Sequence, residues 1–199
     1  MKRRGILIIL TSPSGAGKTS ILEGILKKDN SIEYSVSVTT RPMRKGEINH
    51  VHYHFVSVEE FKKLIEQDVF YEWAIVHNNY YGTRRDVVEN KVENGIDVLF
   101  DIDVQGALNV KKQSKDAVLI FIIAPSLKIL EERLRNRGTD SEEVIQSRLM
   151  NARKEMEKMP EFDYIVVNDK LEETIENVWS IIIAERHKRA RLDLDELKK

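Results

Sequence analysis

Eight consecutive residues, Ser12-Pro13-Ser14-Gly15-Ala16-Gly17-Lys18-Thr19, hold the parts of an anion cradle. Gly15 and Gly17 permit a tight turn whose amide N–H groups face one point. A helix starting there would add the positive end of its dipole. Lys18 brings a mobile ammonium suited to β- and γ-phosphates, and Thr19 a hydroxyl suited to Mg²⁺. The stretch departs from G-x-x-x-x-G-K-[ST] at its first position, where Ser12 stands in place of glycine. A serine there leaves the cradle intact if its φ is negative. Ser12 through Thr19 are therefore expected around the phosphates of a nucleotide. Asp101, in "VLFDID", is the second candidate, because an acid after a buried strand is where P-loop proteins organise Mg²⁺. It would act with Thr19, through a bridging water, while Asp103 suits a helix N-cap.

A phosphate loop serves GTPases, motors and small-molecule kinases alike. A GTPase needs N-K-x-D to read guanine, and "VVNDK" at 166–170 has Asn and Lys in other places. A motor would be longer. A kinase remains, with its acceptor in the segment containing "SVSVTTRPMRKGEINHVHYHF" and "FYEWAIVHNNYYGTRR". Arg41 and Arg44 flank Pro42, which disfavours helix, so both are free to converge on a phosphate dianion. Tyr53 and Tyr81 can each donate a phenolic O–H to the same group. Glu72, among aromatics, is no phosphate ligand. Its carboxylate matches the adjacent N1–H and N2–H₂ donors of guanine and would meet a lone pair on adenine. Ser37 or Thr83 could donate to guanine O6.

The elements that must position these residues alternate. Short β-branched runs at Ile6–Leu10, Val98–Phe100, Val118–Ala124 and Tyr164–Val167 read as strands covered on both faces. Helical patterns fall at Thr19–Lys28, Val87–Glu93, Ser126–Arg137, Ser141–Met159 and Leu171–Arg191. Ser57 with Glu60, and Asp140 with Glu143, form two expected capping boxes. The prediction is one α/β domain, a P-loop NTPase-like parallel sheet flanked by helices. Its core spans about 1–34, 86–125 and 160–199, with an inserted acceptor lobe at about 35–85 and a helical lid at about 126–159.

The pieces "SPSGAGKTS", "SVSVTTRPMRKGE", "YHF", "NNYYGT", "DIDVQG", "RLRNRGTDSEE" and "VVND", in this order from about Gly5 to Arg186, resemble the guanylate kinase family. The resemblance implies ATP-dependent phosphorylation of GMP to GDP with Mg²⁺. It assigns Ser37, Glu72 and Thr83 to the guanine, and Arg41, Arg44, Tyr53 and Tyr81 to the GMP phosphate. Arg137 and Arg148 take the place of lid arginines closing over the transferring group, beside Lys18, and Asn168 that of an adenine contact. His50 and Asn78 stand where the family usually has glycine, and Thr83 keeps the hydroxyl of the usual serine. The alternatives are a catalytically silent module of the same fold that binds phosphopeptides, and a kinase for another nucleotide or a phosphosugar.

Composition excludes several other classes. Lys plus Arg total 32 against 33 Asp plus Glu in 199 residues, so no bulk field points to nucleic acid or an anionic membrane. The absence of Cys removes disulfides, thiol catalysis and thiolate metal sites, and fits a cytoplasmic protein. The run Ile6–Leu10 is shorter than the roughly 7–15 residues of a signal h-region, so a buried first strand is expected there. The partners implied are ATP and GMP, with the chain a monomer or homo-oligomer. His50, His52 and His54 alternate and would share one face of a strand, although the acceptor lobe already accounts for this segment. Trp73 and Trp179 read as core or packing residues, and "ERHKRAR" as a solvated helix end.

Overall fold

A strand apolar at every position needs cover on both faces, and Leu7–Thr11 (β1) is buried throughout. In the computed structural model, which describes residues 3–51, 53–76, 78–136, 138 and 140–193, β1 is the central strand of a five-stranded parallel sheet. Asp97–Asp101 (β7) and Val118–Ile123 (β8) flank it, and Ile32–Tyr34 (β2) and Tyr164–Val167 (β9) form the edges. The period-2 alternation sorts the core into two layers. Ile6, Ile8 and Leu10 pack with Ile21 and Ile25 of Lys18–Lys28 (α1) and Val178 and Ile182 of Leu171–Arg186 (α7). Leu7 and Ile9 pack oppositely, with Val88 and Val92 of Arg85–Glu93 (α3) and Ala107 and Val110 of Val104–Gln113 (α4).

A second, mixed sheet has the order β4-β3-β6-β5, from Val38–Thr39 (β3), His54–Phe55 (β4), Phe70–Val76 (β5) and Asn79–Arg84 (β6). Its own small core centres on Phe61 of Val58–Glu66 (α2), fully buried against Val38 and Phe70. Ser57 and Glu60 close the expected capping box at the start of α2. A helical pair, Leu127–Asn136 (α5) and Glu142–Met156 (α6), packs Leu130, Leu134, Ile145 and Ala152 onto Ala16 of the phosphate loop. No helix among the described residues is long and apolar enough to cross a membrane.

Several local expectations are corrected. The cap of α6 falls on Ser141, which makes no side-chain cap bond, and Asp140 turns instead to Arg148 at 3.5 Å. α6 stops at Met156, and a 3-10 turn at Met159–Glu161 carrying Pro160 follows, since proline cannot continue the hydrogen-bond ladder. α7 ends at Arg186, with a further 3-10 turn at Arg189–Arg191. Trp73 is not core: it is 44% exposed, on the outward face of β5. His50 and His54 do not share a strand face. His50 sits at a turn with φ 64°, His54 lies in β4, and His52 is outside the described residues. Asn78 likewise adopts φ 63°, so both positions keep the left-handed turn geometry for which glycine is the usual choice.

Asp97, with no solvent exposure, ties the end of the molecule opposite the phosphate loop. Arg3 Nη2 donates to it at 2.9 Å, Arg186 Nε at 2.6 Å and the Ile6 amide at 2.9 Å. Asp97→Ala leaves two guanidinium groups without their buried partner. It is expected to cost about 3–5 kcal/mol, read as a lowered denaturant midpoint.

Candidate active site

The register of β1 with β7 pairs Leu10 with Asp101, so both strands end together beneath the phosphate loop. Ligand sites of open α/β sheets form at this carboxyl edge. The loop turns through Gly15 at φ 93° and Gly17 at φ 92°, and α1 starts immediately after. Ser12 has no positive φ, so its departure from glycine introduces no strain. Pro13 O accepts from the Ala16 amide at 3.1 Å, closing the turn.

Both glycines are also points of close approach. A Cβ on Gly15 would lie 3.0 Å from Leu134 Cδ2, and one on Gly17 2.4 Å from Asn168 Nδ2. The first contact brings α5 against the loop, the second the end of β9. Asn168 is only 5% exposed; its Nδ2 donates to Ala16 O at 2.7 Å and its Oδ1 accepts from Thr174 Oγ1 at 3.0 Å. The side chain resembled to an adenine contact is thus engaged in holding the loop from below.

Above the loop lies an open cavity of about 390 Å³, whose lining includes Ser14, Gly17, Lys18 and Thr19 and, from α6, Glu155. Lys18 forms an ion pair with Asp101 and reaches the carbonyl of Ile102 at 3.5 Å. Asp103, by contrast, caps α4 by accepting from the Gly106 amide at 2.7 Å. Arg148 Nη1 donates to Ser14 Oγ at 2.9 Å, so the helical pair already touches the loop. Arg137 lies outside the described residues.

Of the residues expected to hold the acceptor, Glu72, Tyr81 and Thr83 lie on strands of the second sheet. Tyr81 and Thr83 are two apart on β6 and so share a face, and Glu72 of β5 is the register partner of Thr83. Thr83 Oγ1 donates to Glu72 Oε1 at 2.7 Å. Burial, with a smaller contribution from the charge of Asp103, pushes the Glu72 carboxyl above its usual range, against the pull of the Thr83 hydroxyl. At the other end of this face the Tyr53 and Tyr81 rings meet edge to face, 6.0 Å apart, and Arg41 lies 5.4 Å over Tyr53. Arg41 is not free, as the sequence suggested. Glu47 grips it bidentately, at 3.1 and 2.6 Å, and takes the Arg44 amide at 2.7 Å. The Arg41 guanidinium, then the Arg44 amide, hold the Glu47 carboxyl down to about 2. Ser37 is half-buried beside this face, with its carbonyl accepting from the His54 amide at 2.9 Å.

Sequence reasoning missed two acids. Glu47 lies six residues after Arg41, and only the fold of the intervening turn brings them together. Glu155 belongs to a helix whose sequence shows no cue that one turn overhangs the loop; burial and the charge of Asp103 raise its carboxyl, with Lys18 opposing.

A central strand, a left-handed glycine turn, Lys-Thr and a helix define a P-loop protein of the α/β class. The family signature described as guanylate kinase matches residues 4–185. The guanylate kinase of Rickettsia felis is 47% identical over 188 residues, covering 94% of this chain and 98% of that protein. That of Rhizobium etli is 50% identical over 190 residues, 95% of this chain and 86% of that protein. The crystal structure of guanylate kinase from Anaplasma phagocytophilum matches with a TM-score of 0.76 and 35% identity, over 99% of this chain and 95% of that one. The chain belongs to the guanylate kinase family.

The Glu72 environment yields a signed expectation. A folded-state pKa above the unfolded value means that stability is fully present below the unfolded value and is lost as pH rises through the folded one. Glu72→Gln removes the buried charge. It is expected to raise the melting temperature of the ligand-free protein at neutral pH, by about 2–4 °C for each kcal/mol released. The gain should vanish as pH falls below the ordinary glutamate range; a lowered melting temperature at neutral pH would contradict the buried-charge reading.

Proposed function

We propose that this chain transfers the γ-phosphoryl group of ATP to GMP, giving ADP and GDP. The observation that carries the reading is the pairing of an intact phosphate loop with a sheet face that presents a guanine-matched carboxylate at one end and a cation between two tyrosines at the other. In this reading Ser12 to Thr19 hold the ATP phosphates. Glu72 accepts from guanine N1–H and N2–H₂, with Thr83 and Ser37 as hydroxyl donors near O6. Arg41, Arg44, Tyr53 and Tyr81 hold the GMP phosphate. Asn168 supports the loop, and Arg148, with Arg137, covers the transferring group.

A GMP phosphate oxygen attacks the γ-phosphorus in line; the bond to the β–γ bridging oxygen breaks, and ADP leaves with that electron pair. The attacking oxygen is largely anionic near neutral pH, so no side chain needs to remove a proton. Lys18 and Arg148 stabilise charge on the moving group. The donor set offered near Lys18 is hard oxygen, the exposed Thr19 hydroxyl and the Asp101 carboxylate that Lys18 already pairs. These residues fit Mg²⁺, which would be held by Thr19 directly and by Asp101 through water. Bound there, it supplies charge neutralisation at the β- and γ-oxygens.

The test is ADP release by purified protein with ATP and Mg²⁺ against GMP, dGMP, AMP, CMP, UMP and dTMP. Turnover with GMP and little with AMP is expected. Turnover with another acceptor would leave a kinase without the guanine pocket, and phosphopeptide binding without turnover would make the chain a recognition module. Lys18→Met is expected to lower kcat with GMP by about 10²–10³-fold. Glu72→Gln should lower kcat/KM for GMP by about 5- to 150-fold while leaving the KM for ATP unchanged.

A further inference from the structure

The chain passes between its two sheets twice, outward after β2 at Ser35 and Val36, and back where β6 runs into α3 at Arg84 and Arg85. A cavity of about 250 Å³ lies between these crossings. Its polar lining is Ser35, His50, His54, Arg84 and Lys91; the remainder is valine, and no carboxylate among the described residues lines it. None of its residues belongs to the cleft above the phosphate loop or to the acceptor face.

Four features make this a built site. First, His50 and His54 bring their Nδ1 atoms to 2.7 Å, so one proton joins the two rings. His50 reaches that position from a left-handed backbone conformation at φ 64°, which is unfavourable for a residue with a Cβ. Second, Arg84 and Lys91 face the same imidazole. Their counter-ions, Asp86 at 2.9 Å from Arg84 Nε and Glu33 at 2.7 Å from Lys91 Nζ, stand outside the cavity. Asp86 takes Arg84 through Nε and Nη2 and leaves Nη1 as a further donor, and the single contact with Glu33 leaves N–H donors on Lys91. Third, Ser35 is only 7% exposed and places a buried hydroxyl-bearing residue in the same wall. Fourth, the volume falls below the roughly 300–1,000 Å³ of pockets that enclose drug-sized ligands, which suits a single small group. The two cations decide the sign of that group: they would repel a metal ion from the histidine pair and attract an oxyanion.

We propose that this cavity binds a small tetrahedral oxyanion of the phosphate class, as the free ion or as a phosphomonoester, at the junction of the two sheets and outside the catalytic cleft. Lys91 and Val88 come from α3 on the main sheet, Val98 from β7, and His54 and Arg84 from the second sheet. A bound anion therefore bridges residues carried by both sheets. The site is also coupled to protons. Burial, then the charges of His50, Arg84 and Lys91, hold His54 below the usual imidazole value of 6.5. An oxyanion offsets the three charge effects, so its binding takes up a proton and strengthens as pH falls toward that value.

Sulfate is the probe, because its charge is constant across this range. Imidazole C–H resonances would be followed through a pH titration with and without sulfate, at saturating ADP and GMP so that the cleft is filled. The His54 pKa is expected to rise by about one unit with sulfate. Lys91→Ala and Arg84→Gln, each outside the catalytic machinery, should each reduce the rise. Displacement of sulfate by inorganic phosphate, or by ribose 5-phosphate, separates the free ion from a monoester. A His54 pKa that sulfate leaves unchanged, a shift indifferent to both substitutions, or displacement by neither phosphate would overturn the proposal.

Discussion

Two absent Cβ atoms govern how the pieces of this structure meet. At Gly15 the space is filled by Leu130 and Leu134 of α5, and at Gly17 by the amide of Asn168. Both glycines also carry the positive φ that turns the amides inward. One short loop thereby sets the anion cradle, the seat of the helical pair and the link to the edge of the parallel sheet. The constraint is severe, because a side chain at either position meets close contacts and backbone strain together. It explains why Ser12, which opens the same loop without a positive φ, is free to differ.

The parallel sheet supplies what the loop cannot. Since β1 and β7 are in register, the acid that ends one strand falls beside the lysine that follows the other, and Lys18 pairs with Asp101 across 83 positions of sequence only because of that register. The second sheet repeats the device with a different geometry. Its two-residue period places Tyr81 and Thr83 on one face, and antiparallel pairing sets Glu72 opposite Thr83. The carboxylate is fixed by a strand and a hydroxyl rather than by a loop, which is what discrimination between bases requires.

Much of this was legible in the sequence, and the limits are physical. Four of the five strands of the parallel sheet could be read because burial on both faces demands continuous β-branched runs, as at Ile6–Leu10; the edge strand Ile32–Tyr34 was missed, because its three residues are only partly buried and carry no such run. The capping box at Ser57 and Glu60 could be read because it is a local exchange of two hydrogen bonds. Asp140 and Glu143 showed the same spacing and failed, because Arg148, eight residues on, competes for Asp140 once α6 lies against the loop. Trp73 was misjudged for a similar reason: residue type suggests burial, whereas strand parity sends it outward when Glu72 points in. Glu47, Glu155 and the His50–His54 pair depend on how turns and helices approach in space, and spacing alone carries no record of that.

The cations of the site show how the cleft is kept in order. Lys18 is held by Asp101, Arg41 by Glu47, and Arg148 by Ser14 and Asp140. Each guanidinium or ammonium is thus oriented before any phosphate arrives, which reduces the side-chain entropy lost on binding. The same contacts lower the net gain, because an arriving phosphate exchanges one anionic partner for another instead of meeting a bare charge. Affinity for any single phosphate is therefore moderated, while the geometry needed in the transition state is already present. That balance suits a catalyst better than a tight binder, since interactions that strengthen only as the γ-phosphoryl group moves raise kcat, and uniform binding does not.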